Sequence, residues 1–314
     1  MEIKKFNKGQ TITGYLFIKS LSINNAANGS RYFNLKLTDE NYDEIDSKMW
    51  NIQPEDEEEY KAGQLIKIKG NVQEFKNHLQ LILNKIRLTN EGDDVNINDF
   101  VPSAPESIEG MLKDLEDTIK TFDNTDLQKI TQALLESKKT VLSYFPAAMR
   151  MHHAVKGGLL YHTWSMLQMA LKIVPLYSFL NPELVYAGVI LHDFGKTEEM
   201  LSDQNGSIND YSKEGKLLGH IVTEVVEIDR FAEKLNIDPE VTLMLKHMIL
   251  SHHYEADYGS PKRPMFPEAE LLHYLDVIDA RMNTMEHIEN ALKPGDFSER
   301  IWGLDKIQLY KSTL

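Results

Sequence analysis

The pair His192-Asp193 ends the apolar run Tyr186-Ala187-Gly188-Val189-Ile190-Leu191 and is followed by Phe194-Gly195-Lys196. A His and an ionised Asp at the end of a hydrophobic helix are costly to bury without a partner. A metal ion is the usual partner for both together. Ten of the eleven histidines fall between His152 and His287, so the pair has company. His162 follows Gly157-Gly158-Leu159-Leu160-Tyr161, His220 follows Gly219, and His252-His253 ends an apolar stretch. Asp276 and Asp279 sit in Leu271-Leu272-His273-Tyr274-Leu275-Asp276-Val277-Ile278-Asp279-Ala280. Helices that pack these apolar faces together would bring the imidazoles and carboxylates to one point. The chain has no cysteine. Any metal must then be held by His nitrogen and carboxylate oxygen, a donor set that suits Mn, Fe, Co, Ni or Zn.

The elements that must position these groups are helices. From Ile108 onward the apolar period is helical: Met111, Leu112, Leu115, Ile119 and Phe122 share one face. Further helices are expected at Leu127–Tyr144, Gly158–Ile173, Pro182–Phe194, Gly215–Leu235, Pro239–Ser251 and Glu268–Leu292, with no strand pattern between them. Residues 10–90 read differently. Thr11–Ile18, Tyr32–Leu37 after a turn at Asn28-Gly29, Ile45–Ile52, Leu65–Val72 and His78–Leu88 have strand character. A short acidic helix, Pro54–Lys61, falls between the third and fourth. Five short strands with a helix in that place match an OB-fold barrel. Residues 91–107, polar and carrying Gly92, Pro102 and Pro105, read as a linker. The expectation is a multi-domain chain: an all-β OB-fold barrel over 1–90, then an all-α domain over 108–314 that carries the chemistry.

Charge divides the same way. The chain has a net charge of −14, which argues against a protein that coats nucleic acid indiscriminately. Residues 1–90 hold 13 Lys and Arg against 12 Asp and Glu, five of those acids lying in Glu55–Glu59, so the rest of this part is basic. Residues 91–314 hold 21 against 36. The first part permits phosphate binding, and the second could offset its charge with divalent cations. No apolar run approaches the roughly 18 residues of a membrane span. Met1-Glu2-Ile3-Lys4-Lys5 starts no signal core. The cytoplasm is the expected compartment, with no membrane partner.

The residues of the helical part resemble the HD superfamily of metal-dependent phosphohydrolases, whose pattern is a His, then His-Asp, then a distal Asp. Here these are His162, His192-Asp193 and Asp276, and Gly219-His220 and Ser251-His252-His253 resemble the extra histidines of dinuclear members. The resemblance implies two divalent ions that ligate phosphate oxygens and supply a nucleophile near neutral pH. Asp193 would bridge them. His162, His192 and Asp276 would complete one site, and His220 with His252 or His253 the other. Neighbouring helical residues point roughly 100° apart, so one of His252 and His253 could bind metal and the other substrate. Asp279 is the alternative to Asp276, three positions on. Lys196, one turn after His192, could reach a phosphate oxygen or merely complement a helix C-terminus. In His152-His153, His153 could reach the phosphate or cap structure.

OB-folds bind single strands by stacking bases on exposed aromatics beside a basic groove. Candidate stackers are Tyr32, Phe33, Trp50 and Phe75, interspersed with Arg31, Lys36, Lys48, Lys67, Lys69 and Lys76. Tyr32 and Phe33 are adjacent in an alternating strand, so both cannot lie on one face. The order barrel, linker, HD domain resembles the YhaM family of bacterial 3′→5′ exoribonucleases, over nearly the whole chain. That resemblance implies hydrolysis of single-stranded RNA, with single-stranded DNA as a second substrate, to 5′-mononucleotides, with Mn²⁺ as the metal. Asp193 and Lys196 would be catalytic. Homo-oligomerisation is left open by the long apolar helices. Two rivals stand beside it. One is a phosphodiesterase or nucleotidase for a cyclic dinucleotide or dNTP: Tyr258-Gly259-Ser260-Pro261 is faintly similar to the HD-GYP class, although the required Gly-Tyr-Pro is absent. The other is a non-catalytic nucleic-acid-binding regulator.

Overall fold

The structure, a computed structural model, describes residues 1–26, 29–76, 78–148, 153, 155–203, 206 and 208–314. Asn28 of the expected turn and His152 lie outside the described residues. The chain divides into two compact units, Met1–Ser103 with Asp203–Asn209, and Ala104–Ser202 with Asp210–Leu314.

The first unit is a closed barrel of strand order β1-β2-β3-β5-β4, built from β1 (Thr11–Asn25), β2 (Arg31–Thr38), β3 (Glu44–Trp50), β4 (Leu65–Phe75) and β5 (His78–Leu88). Helix α1 (Pro54–Glu59) joins β3 to β4. Strand β1 runs seven residues past its expected end at Ile18. The reason is closure: Thr11–Phe17 pairs with β4, and Phe17–Asn25 with β2. One strand must serve two neighbours, and its second half has too few apolar residues to betray that. The inward residues form one core, with Leu16, Ile18, Phe33, Leu35, Leu37, Ile66 and Leu81 buried. The stretch read as a linker is bound to the barrel in its first half. Phe100 and Val101 pack with Phe17 and Leu65. Asp93 receives both guanidinium nitrogens of Arg87, at 2.6 and 2.7 Å, and the Tyr15 hydroxyl at 2.8 Å.

The second unit is helical: α2 (Ile108–Lys120), α3 (Thr125–Leu142), α4 (Gly158–Ile173), α5 (Pro182–Leu191), α6 (Lys196–Glu199), α7 (Lys213–Leu235), α8 (Pro239–Ser251) and α9 (Pro267–Ala291). Ser107, Asn124, Asn181, Ser212 and Asp238 each accept a main-chain N–H of the first turn they precede, which fixes where these helices start. Helices α4 and α5 run through the middle, with Leu159, Leu160, Leu167, Val185, Val189 and Ile190 buried. The expected helical domain is present, with one short addition. A two-stranded sheet, β6 (Met200–Ser202) and β7 (Ile208–Tyr211), interrupts the helices. Strands of three and four residues are too short to display an alternating period. Among the described residues no helix is long and apolar enough to cross a membrane.

Candidate active site

Four helix ends and two helix faces converge in the second unit. His162 projects from α4. His192 caps the C-terminus of α5, and Asp193 follows in the turn that leads to α6. A Cβ on Gly195 would stand 2.3 Å from the carbonyl oxygen of His220, so only glycine lets that turn lie against α7. Helix α7 breaks at Gly219, whose φ of 73° leaves the helical region, and His220 opens its second part. His252 is the C-cap of α8, and Asp276 and Asp279 lie on α9.

Each carboxylate oxygen of Asp193 faces its own group of imidazoles. Oδ2 is 3.3 Å from His192 Nε2 and 3.6 Å from His162 Nε2. Oδ1 is 3.5 Å from His220 Nε2 and 3.8 Å from His252 Nε2. Asp276 Oδ1 is 3.4 Å from His162 Nε2, on the first side. His253 brings a donor atom within 4.8 Å of those of Asp193, His220 and His252, on the second. His252 and His253 therefore converge. The 100° divergence expected of helical neighbours does not apply, because α8 ends at Ser251 and both lie in the turn beyond it.

The other nitrogen of each ring is held. Nδ1 of His192 lies 2.9 Å from the carbonyl of Val189, that of His252 2.7 Å from Ile249, and that of His253 2.6 Å from Tyr258. His220 Nδ1 is 3.1 Å from Glu199 Oε2, and His162 Nδ1 is 2.7 Å from Asp279 Oδ2. These contacts place the proton on Nδ1 and aim the Nε2 lone pairs at Asp193, the arrangement of metal-ligating histidines. Asp279 thus stands behind His162, and Asp276 beside its Nε2. Asp193 Oδ1, His220 Nε2 and His252 Nε2 are buried with no hydrogen-bond partner among the described residues. Buried polar atoms without partners are rare and costly, and a divalent cation among these N and O donors would satisfy all three. The residues present fit such an ion.

Electrostatics agree. Burial works against ionisation of Asp193, and Lys196 and His192 outweigh it, holding the carboxyl well below the usual carboxylate range. For Asp276 burial is likewise overcome by its hydrogen bond with His162. Burial pushes His252 and His253 down, so both rings are neutral and can ligate. For His162 burial opposes the charge, yet Asp276 and Asp279 push its value up to about 10. A cation in that place would take over the role of the proton. Lys196 Nζ lies 2.7 Å from Asp193 Oδ2. A cavity of about 340 Å³ opens onto the cluster, lined by Lys196, His252, His253, Tyr258, Asp276 and Val277 among others. It falls within the roughly 300–1,000 Å³ of small-molecule sites.

Two expected contacts do not fit their places. His153 lies behind this layer, buried, with Nε2 2.7 Å from Asp279 and its main-chain N–H donating to Asn283. It supports α9 and does not face the cavity lining as a phosphate contact would. Phe33 is fully buried in the barrel core and cannot stack on a strand. Its chain neighbour Tyr32 lies on the other face with its register partner Trp50: the two rings are 4.4 Å apart, and Lys48 Nζ lies 5.3 Å from each and 5.9 Å from Phe75. Trp50 and Phe75 are 41% and 56% exposed. Lys36 is drawn to Glu44 and Asp46, at 3.1 and 3.9 Å, which lessens its pull on a phosphate. Sequence reasoning missed Glu199 and Ser260. Glu199 lies 21 positions before the histidine it holds, and no spacing signal links residues that meet only through packing.

The chain matches the family model of the HD domain over residues 159–281 and that of an OB-fold nucleic acid binding domain over residues 11–89. It is 42% identical to the 3′-5′ exoribonuclease YhaM of Geobacillus sp. (strain WCH70), over 98% of this chain and 94% of that protein. It is 41% identical to the 3′-5′ exoribonuclease YhaM of Bacillus subtilis (strain 168), over 97% of this chain and 96% of that protein. Among solved structures, the second OB-fold domain of replication protein A from Methanococcus maripaludis matches 31% of this chain and 98% of that one, with 16% identity and a TM-score of 0.24. That likeness is too slight to add to the barrel topology itself. Full-length identity above 40% to two YhaM proteins settles the relationship, and the chain belongs to the family of YhaM 3′-5′ exoribonucleases.

Proposed function

We propose that this chain is a divalent-metal-dependent 3′→5′ exonuclease that hydrolyses single-stranded RNA to 5′-mononucleotides in the cytoplasm, with single-stranded DNA as a further substrate. The observation that carries the reading is Asp193. One of its oxygens faces His162 and His192, the other His220 and His252, and three of the buried atoms involved lack any hydrogen-bond partner among the described residues. Asp193, His162, His192 and Asp276 would hold one ion, and Asp193, His220, His252 and His253 a second. Mn²⁺ is the favoured occupant, and Fe, Co, Ni or Zn would suit the same donors. When bound, the ions supply Lewis acidity toward phosphate oxygens and a nucleophile at neutral pH.

The protein's own groups do the positioning. The bond that forms joins a water oxygen to the phosphorus of the last internucleotide linkage. The bond that breaks joins that phosphorus to the 3′ oxygen of the penultimate nucleotide, which leaves a 5′-phosphate on the released residue. Lys196, at the cavity wall, places a fixed positive charge beside the scissile phosphate. The held Nδ1 contacts keep five imidazoles from reorienting as charge develops. Tyr32, Lys48, Trp50 and Phe75 on the barrel offer stacking faces and a cation to the strand.

A 5′-labelled 30-mer RNA with Mn²⁺ tests this. A ladder descending from the 3′ end, abolished by EDTA and by Asp193→Ala while RNA binding persists, is the expected result. Mn²⁺-dependent hydrolysis retained in purified Asp193→Ala sinks the assignment. Intact RNA alongside a hydrolysed cyclic dinucleotide or dNTP transfers the activity to a small-molecule phosphodiesterase, and binding without turnover to a regulator.

A further inference from the structure

Beyond Ser251 the chain folds back around one candidate metal ligand. The main-chain N–H of His253 donates to Ser260 Oγ at 3.0 Å, and its Nδ1 meets the Tyr258 carbonyl at 2.6 Å. Ser260 is buried, and Gly259, at φ 97°, turns the backbone between these contacts. The backbone of Tyr258 is therefore committed to positioning His253. Its ring is not committed to the fold: Tyr258 is 72% exposed, yet it lines the same cavity as Lys196, Asp276, Val277 and Ala280. An aromatic ring left in water forgoes the free energy of its burial. Here it lines the cavity that opens onto Lys196 and the His/Asp cluster, with the aliphatic side chains of Val277 and Ala280 on the α9 wall.

We infer that the Tyr258 ring is the stacking platform for the 3′-terminal base of the strand, with Val277 and Ala280 forming the apolar wall of the same slot. It rests on the exonuclease reading for its ligand. A phosphate at Lys196 and the metal cluster leaves its attached base within reach of the cavity mouth, and a flat heteroaromatic base matches a flat exposed ring. Stacking is tolerant of sequence, because every base has a π-face. His273 also lines the cavity, but its Nδ1 is taken by the carbonyl of His252 at 2.7 Å. The platform should therefore process all four 3′-terminal bases at similar rates, which suits an enzyme that must pass every residue of a strand.

The test uses the full chain and a 10-mer RNA carrying 2-aminopurine at its 3′ end. Fluorescence is read with Mn²⁺ on a 10-mer whose terminal linkage resists hydrolysis, and kinetics on unmodified RNA are read with Mn²⁺. Wild type should quench the terminal fluorophore on binding. Tyr258→Ala should lose most of that quench and raise KM roughly tenfold, toward the lower part of the range for one base–aromatic stack. Tyr258→Phe should retain both. A quench in Tyr258→Ala equal to wild type overturns the inference, as does Tyr258→Phe behaving like Tyr258→Ala, which would assign the role to the hydroxyl. Because the quench is read without hydrolysis, a normal ladder with no quench removes the platform alone. A quench with no ladder removes the exonuclease reading alone.

Discussion

At the scale of single residues, three acids illustrate how position decides chemistry. Asp276 and Asp279 are one helical turn apart and were alternatives for one role in the sequence. The structure separates them, Asp276 toward the Nε2 of His162 and Asp279 toward its Nδ1. Asp279→Asn should weaken Mn²⁺ binding roughly 10- to 100-fold, the usual cost of losing such an orienting carboxylate, in a Mn²⁺ titration of a folded protein. Unchanged affinity would show that Asp279 serves only His153. Glu224, on α7, is fully buried with neither oxygen hydrogen-bonded among the described residues. Burial first, then Glu227, pushes its carboxyl well above 4.5. The folded chain keeps this proton after the unfolded chain has lost it, so stability is fullest at low pH and declines as pH rises above the unfolded value. Glu224→Gln should remove that decline: between about pH 5 and about pH 8 its Tm should fall less than that of wild type. A parallel fall in both would exclude Glu224 as the cause. Nothing in the sequence around Glu224 distinguishes it from the exposed acids of α7, since the turn at Gly195 that packs against its Cβ is distant in sequence.

At the scale of elements, the helices of the second unit were legible because their caps and apolar faces are local properties. Gly158–Ile173 and Pro239–Ser251 occupy the expected residues. What could not be read was set by contacts between elements. The second half of β1, the short β6–β7 pair and the break of α7 at Gly219 each answer to a neighbour distant in sequence. The candidate site was legible because His and Asp at apolar helix ends are costly to bury without a partner, whereas a surface acid such as those around Glu199 needs only water. In the barrel, register places Lys69 directly opposite Lys85, and Lys67 opposite Arg87. Asp93 offsets Arg87 and Lys67, but Lys69 and Lys85 have no ion pair among the described residues. Like charges in that position cost stability unless an anion joins them. Lys69→Gln with Lys85→Gln should leave the barrel as stable or slightly more so, and should weaken RNA binding. The slope of log affinity against log salt should shrink by about 1.4, at about 0.7 per phosphate contact on a single strand. Equal slopes in variant and parent would remove these lysines from the RNA path.

At the scale of the whole molecule, the chain carries a net charge of −14, yet its first 90 residues are nearly balanced. The excess of acid lies in the unit whose buried donors fit a cation. Binding that cation should stabilise the chain by mass action, about 2.7 kcal/mol at a hundredfold excess over Kd. Mn²⁺ should raise the thermal transition, EDTA should reverse it, and Asp193→Ala should abolish the shift in calorimetry. An Mn²⁺ shift of wild-type size in Asp193→Ala would place the stabilising ion elsewhere. Asp193 also has a consequence for control. On the proposed reading, two cations held at the Asp193 carboxylate could not be bound independently, for each would repel the other and draw on the same negative charge. The second occupancy would then be the weaker, and it would empty first when cation is scarce. Turnover of RNA would follow that weaker occupancy, so the supply of free metal would throttle decay long before the fold itself registered the shortage.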